Sequence, residues 1–256
     1  MNYFKSKKQF IYRFIFIIAL VVFLFSGYKL FTIYKANWEE NSEKDRITSI
    51  SKIPTDIKKN AKFKVDFKKL SEINPDVVAW IVVPDTDISY PIVQGKDNDY
   101  YLNHTFEKRE NYAGAIFNDY AASPNYSDLN TFIYGHNIKH GTMFSDVQKF
   151  KDQAFFEAHP YLYIFTPEKK YKCDIMSMYS TDASSDSYIN GYTSWDGFSN
   201  YVNLIKSKAM YARDVAFGEG DHMITLSTCS YERGGVASDA RYLLHAKLVE
   251  WNDTSK

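Results

Sequence analysis

Two cysteines and six histidines carry most of the reactive chemistry available to this 256-residue chain. Cys229 closes the run Thr225-Leu226-Ser227-Thr228-Cys229, a stretch of strand composition, and Ser230 and Tyr231 follow it directly. A cysteine at a strand end faces a cleft more easily than one in mid-strand. A thiolate is both a good nucleophile and a good leaving group, although a free thiol with a pKa of about 8.5 is only a few per cent ionised at neutral pH. A single cysteine is also, more commonly, a small buried hydrophobe. Cys173 has that pattern, since Tyr171, Cys173 and Ile175 alternate with Lys172 and Asp174 as on a half-buried strand. Two cysteines in such different contexts make no disulfide framework, so both are read as free thiols.

Among the histidines, His136 follows the strand-like run Thr131-Phe132-Ile133-Tyr134 across Gly135 and precedes Asn137, so it too projects from a strand end. There it suits either proton transfer or a turn satisfied by local backbone. His136 and His140 are four apart, the spacing of a helical metal pair. Gly135 and Gly141 bracket them in a loop instead, and no third ligand has matching spacing, so neither a metal nor another cofactor is expected. Arg241 opens a strand twelve residues after Cys229. A guanidinium at that point is either a surface strand cation or a fixed donor for a developing oxyanion.

Three segments together resemble the signature motifs of class B sortases: Tyr134-Gly135-His136-Asn137, Thr225-Leu226-Ser227-Thr228-Cys229, and Arg241 within Ala240-Arg241-Tyr242-Leu243-Leu244-His245-Ala246-Lys247-Leu248. The resemblance extends through Trp80-Ile81, Pro91-Ile92-Val93-Gln94-Gly95, Asn98-Asp99-Tyr100-Tyr101-Leu102 and Gly141-Thr142-Met143-Phe144, covering nearly all of residues 63–250. It implies an eight-stranded β-barrel enzyme, mainly β with added helices, that cleaves an Asn-Pro-x-Thr-like C-terminal sorting signal after threonine. The protein so released from its tail passes through a thioacyl-enzyme to an amine of a cell-wall precursor. Cys229 would be the nucleophile, His136 the acid and base, and Arg241 the stabiliser of substrate or oxyanion, with the Ser230 N–H as a second donor. Asn98, Tyr188, Ser227 and Ser230 fall in regions that contact substrate. Two other readings stay open: a cysteine endopeptidase on the same fold, and a noncatalytic cell-wall-binding module whose aromatic residues stack on sugars.

The elements that must position these residues are short. Apolar runs at 77–83, 88–93, 114–117, 131–135, 161–166, 171–179, 222–229 and 241–249 are separated by Gly, Pro, Asn and Asp, which predicts eight strands closed into a barrel or sandwich. Phe67, Leu70 and Ile73 at helical spacing predict a helix that Asn74-Pro75 ends. A helical excursion is expected over 144–156. Phe198, Val202 and Ile205 mark an amphipathic helix over 195–210, between the late strands.

Ahead of the barrel, residues 14–28 carry no charge and follow Lys5, Lys7, Lys8 and Arg13. Basic residues before an apolar run place the N-terminus in the cytoplasm and the remainder outside. Fifteen helical residues reach only about 23 Å, short of a hydrocarbon core of roughly 30 Å, so Arg13 and Lys29 would snorkel and extend the span to about residues 9–31. Ser26-Gly27-Tyr28-Lys29-Leu30 makes a poor cleavage site, which favours an uncleaved signal anchor over a removed signal peptide. The expected layout is a cytoplasmic tail at 1–8, a transmembrane anchor at 9–31, a polar stalk at 32–62 and a catalytic domain at 63–256. Thirty-one basic residues balance thirty-one acidic ones, so no global field draws nucleic acid, and partners must be recognised locally. The expected partners are surface proteins bearing a sorting signal, a peptidoglycan precursor amine, and the membrane through the anchor.

Overall fold

The structure, a computed structural model, describes residues 2–51, 53, 57, 64–138, 141–189, 191–192, 194–232 and 239–251, with side chains from residue 9 onward. His140, the start of the catalytic domain at residue 63, and residues 52, 54–56 and 58–62 of the stalk lie outside the described residues. The chain divides into two compact units, Met1–Ser42 and Glu43–Lys256. Helix α1 (Asn2–Ser51) begins in the first. Its apolar residues there, from Phe10 to Phe31, are exposed, and α1 is long and apolar enough to cross a membrane.

The second unit begins earlier than residue 63. Ile47 is buried among Leu70, Trp80, Val82, Val93 and Tyr101, with Ile50 and Ile53 packed on the same cluster. That three-residue spacing gives the end of α1 an apolar face within a segment that looks polar overall. The Glu43 carboxylate there accepts from the Thr105 hydroxyl at 2.8 Å, the Glu107 amide at 3.0 Å and Arg109 at 2.8 Å. Residues 43–51 are therefore part of the folded unit. Helix α2 (Phe67–Ile73) is capped by Asp66 and closed by Asn74, whose amide nitrogen bonds Tyr101 and the Phe106 carbonyl.

Eight strands close into a ring: β1 (Val77–Val82), β2 (Ser89–Val93), β3 (Ile116–Asn118), β4 (Asn130–Tyr134), β5 (Tyr161–Phe165), β6 (Lys170–Asp182), β8 (His222–Cys229) and β9 (Ala240–Leu248). Their order is β5-β1-β2-β3-β4-β8-β9-β6, and β6 returns to β5. The pairs β2–β3 and β4–β8 are parallel, the others antiparallel. A ninth strand, β7 (Tyr211–Ala212), pairs with β6 outside the ring. Two residues are too few to show a period, which is why it was not expected. The barrel is filled by one face of each strand, including Ile81, Ile92, Ile133, Ile164, Cys173, Ile224, Leu226 and Leu244.

The excursion after β4 is a 3-10 turn (Ser145–Lys151) followed by α3 (Gln153–Ala158), with Asp152 capping the latter. Helix α4 (Trp195–Lys208) starts at Ser194, whose hydroxyl accepts from the Gly197 amide at 3.2 Å. It buries Phe198, Tyr201, Val202 and Ile205 against Met176, Tyr179, Met223 and Leu243. These lie on the outer face of β6, β8 and β9, so α4 roofs the outside of the barrel next to the strand that ends in Cys229.

Candidate active site

Strand register brings the reactive residues to one end of the barrel. In the parallel pair β4–β8, Tyr134 lies opposite Ser227. Both strands leave the barrel in the same direction, with His136 two residues past Tyr134 and Cys229 two residues past Ser227. Antiparallel pairing places Arg241 directly opposite Cys229 at the first turn of β9 into the sheet. Side chains alternate across a sheet, so Thr225, Ser227 and Cys229 share the outer face with Arg241, Leu243 and His245.

Beyond the ladder, the two strand ends are tied together. The Gly135 amide donates to the Ser227 carbonyl at 3.2 Å. The Asn137 side chain donates to the Cys229 carbonyl at 2.9 Å, and the Tyr231 hydroxyl donates back to the Asn137 carbonyl at 2.7 Å. Gly135 has no alternative between strand and histidine, because a Cβ there would stand 2.7 Å from the buried ring of Phe144. The His136 ring bonds the Leu102 carbonyl through Nε2 at 2.8 Å. Cys229 is half-buried and free, whereas Cys173 is fully buried and free.

Tyr188 and Ser227 meet: the phenol and the serine hydroxyl are 2.7 Å apart, and the Tyr188 ring stacks on Phe132 at 5.3 Å. Burial pushes the Tyr188 phenol up to about 12. The hydrogen bond to Ser227 and the positive charge of Arg241 act the other way, and Cys229 adds a smaller upward push. Tyr188 thus lies within electrostatic reach of both reactive residues. Tyr231, raised first by burial and then by Cys229, flanks the thiol as well. Asn98 is held elsewhere on the rim. Its amide nitrogen donates to Asp119 at 3.1 Å and its oxygen accepts from the Tyr120 amide at 2.9 Å. Asp119 also receives the Tyr134 hydroxyl at 3.1 Å, which links Asn98 to the end of β4.

Ser230 corrects the expectation of a second oxyanion donor. It is fully buried, and its amide donates to the Ala240 carbonyl at 2.9 Å, so that N–H fastens β8 to β9 and is not directed at substrate. Asn137, Tyr231 and the Leu102 carbonyl received no role from the sequence. Asn137 and Tyr231 at least adjoin His136 and Cys229 in the motifs, whereas a main-chain carbonyl leaves no side-chain signature. Among the described residues, no cluster of three or more His, Cys, Asp or Glu is arranged to hold a metal.

The sortase domain model matches residues 81–249. Sortase B of Listeria monocytogenes is 33% identical over 247 residues, covering 94% of this chain and 98% of that protein. This chain belongs to the class B sortases. Sortase B of Staphylococcus aureus is 28% identical, covering 91% of the chain and 95% of that relative. Among solved structures, sortase B of Bacillus anthracis in complex with AAEK1 superposes with a TM-score of 0.73 at 34% identity, covering 85% of this chain and all of that one. Sortase B of Clostridium perfringens does so at 0.67 and 35% identity, over 72% of this chain and all of its own. Membership makes the protein a cysteine transpeptidase in general terms and accounts for the closed eight-stranded barrel with its N-terminal and late helices.

Proposed function

We propose that Cys229, His136 and Arg241 form the catalytic group of a sortase that joins surface proteins to a cell-wall amine. The observation that supports this reading is the shared strand end: by strand register Cys229 lies opposite Arg241, and His136 follows the neighbouring parallel strand at the same edge of the barrel. The Cys229 sulfur attacks the threonine carbonyl of an Asn-Pro-x-Thr-like sorting signal. The carbon–nitrogen bond to the next residue breaks, His136 gives a proton to the departing amine, and a thioester remains on Cys229. An amine of a peptidoglycan precursor then attacks the thioester and gives its proton to His136, the carbon–sulfur bond breaks, and Cys229 leaves as the thiolate, which restores the starting pair. Negative charge develops on the carbonyl oxygen in both tetrahedral states, and the Arg241 guanidinium stabilises it. Tyr188 and Ser227 form one wall for the signal peptide and Asn98 borders another.

Mass spectrometry of the enzyme incubated with a panel of sorting-signal peptides tests the assignment. The expected result is an acyl adduct on Cys229 that an added amine converts to a ligated peptide. Free acid in place of ligated peptide at saturating amine would make the protein an endopeptidase, and absence of any adduct would leave a binding module.

The layout of the chain completes the proposal: residues 1–8 in the cytoplasm, 9–31 across the membrane as an uncleaved anchor, and the catalytic unit outside the cell. Deleting residues 1–31 is then expected to give a soluble protein that still cleaves the signal peptide, because that segment adds nothing to the barrel core. A folded truncation without cleavage activity would count against this arrangement.

A further inference from the structure

Catalytic bases in acyl transfer are usually held by a third group that fixes the ring and its tautomer. Here the His136 Nε2 lies 2.8 Å from the Leu102 carbonyl oxygen. A carbonyl only accepts, so the hydrogen of this bond sits on Nε2. Leu102 ends the 3-10 turn Tyr100–Leu102, and that turn is firmly seated. Tyr101 is fully buried, and its hydroxyl donates to Asp76 at 2.6 Å and accepts from Asn74 at 2.9 Å. The Tyr101 carbonyl accepts the Ala115 amide at 2.9 Å. Gly114 passes directly beneath. Its φ is +63°, and a Cβ there would stand 2.5 Å from the Tyr101 oxygen and 2.7 Å from the Leu102 oxygen. Only glycine lets the chain approach these two carbonyls so closely.

We propose that the Leu102 carbonyl, seated over Gly114, is the positioning group of His136 and makes Nδ1 the nitrogen that carries the catalytic proton. The inference rests on the reading of His136 as acid and base. Because the carbonyl accepts from Nε2–H in both the imidazole and the imidazolium, the proton that comes and goes is the one on Nδ1. It passes from Nδ1 to the departing amine during acylation and from the incoming amine to Nδ1 during transfer. The orienting role that a carboxylate side chain plays in other triads falls here to the main chain, with Gly114 as the residue that protects it.

The test uses the full chain in detergent micelles, labelled with ¹⁵N at histidine, with the His136 signals assigned from a His136→Asn sample. Long-range proton–nitrogen correlation of the neutral ring is expected to show a protonated Nε2 and an unprotonated Nδ1. A neutral ring protonated on Nδ1 overturns the proposal, and this measurement needs neither a variant nor turnover. In Gly114→Ala the added Cβ should displace the carbonyl. The two nitrogen shifts should then move toward each other, and kcat should fall by about 10²-fold with KM changed less than about threefold, the scale expected when a catalytic group is misplaced by about 1 Å. Gly220→Ala is the matched control, since Gly220 has a φ of +89° with no atom within 4 Å. It incurs the backbone strain without the collision, and its tautomer and kcat should match the parent. A folded Gly114→Ala protein with the parent tautomer and kcat overturns the proposal. Failure of the catalytic reading shows separately, as peptide acylation that survives Cys229→Ala or His136→Ala.

Discussion

Cys173 and Cys229 stand on strands of the same barrel, and their surroundings differ in nearly every respect that governs a thiol. Cys173 lies in the middle of β6, opposite Leu162 of β5, with its side chain among Ile164, Ile175 and Ile224. Burial holds its thiol well above the usual range, the neighbouring Asp174 adds to that effect, and a hydrogen bond with the Ile164 backbone offsets only part of it. Cys229 is the last residue of β8, half-buried, on the outer face, across the ladder from Arg241 and flanked by Tyr188 and Tyr231. The two thiols thus differ by where their strands stop. Inside the barrel a cysteine is a core residue, whereas at the strand end the same side chain is half-buried, with Arg241 opposite it on the ladder.

Replacing each cysteine separately tests that contrast most strongly. Cys229→Ala is expected to lower peptide cleavage by about 10⁴-fold or more, the scale seen when an acyl-transfer enzyme loses its nucleophile. Cys173→Ala should keep turnover within about twofold and lose about 1 kcal/mol of stability, typical of removing one heavy atom from a packed core. A methanethiosulfonate reagent applied to the folded protein should label Cys229 and spare Cys173, as read by peptide mass. Labelling confined to Cys173 would reverse the comparison.

Arg241 comes next in magnitude. If its planar fork stabilises the oxyanion, Arg241→Lys keeps the charge and still fails, because an ammonium on a flexible stem cannot reproduce the geometry. The expected loss is about 10² to 10³ in turnover, or roughly 2.7 to 4 kcal/mol. An arginine that only decorates the strand would change rate and stability by less than about 0.5 kcal/mol on the same substitution. Turnover of a sorting-signal peptide and thermal unfolding of the same preparation separate the two. Near-parent turnover in a folded variant would leave a dyad of Cys229 and His136.

How far these residues could be read from the sequence depended on the kind of group that does the work. Eight strands were visible because each carries an apolar run bounded by turn residues, and the strand-end positions of Cys229, His136 and Arg241 were visible because each stands at the edge of such a run. The two-residue β7 offered no period to detect. Residues 43–51 looked like stalk because Glu43, Asp45 and Arg46 outweigh the apolar spacing of Ile47 and Ile50. Their place in the folded unit depends on contacts with residues 105–109, sixty positions away. The Ser230 amide looked available as an oxyanion donor because its bond to the Ala240 carbonyl forms only when β8 and β9 pair. The pairing of Tyr188 with Ser227 and the Leu102 contact to His136 arise only when the barrel closes.

The smallest expected effect isolates Cys173 by pH. A thiol whose pKa is raised in the folded state keeps its proton there after the unfolded chain has lost it. Above the unfolded cysteine value of about 8.5, the unfolded state therefore binds fewer protons than the folded one, and stability falls as pH rises, by up to about 1.4 kcal/mol per unit. Buried tyrosines such as Tyr101, Tyr126 and Tyr134 are raised by burial in the same sense. Their unfolded counterparts ionise only near pH 10, so the interval from about 8.5 to 9.5 belongs to Cys173. Over that interval the parent should lose about 1 kcal/mol that Cys173→Ala does not. Since the variant starts about 1 kcal/mol less stable, the two curves should converge by about pH 9.5. Urea unfolding at pH 7.5, 8.5 and 9.5 measures both. Parallel curves would show that the Cys173 thiol ionises as readily in the barrel as in the unfolded chain, and the contrast with Cys229 would then rest on access alone.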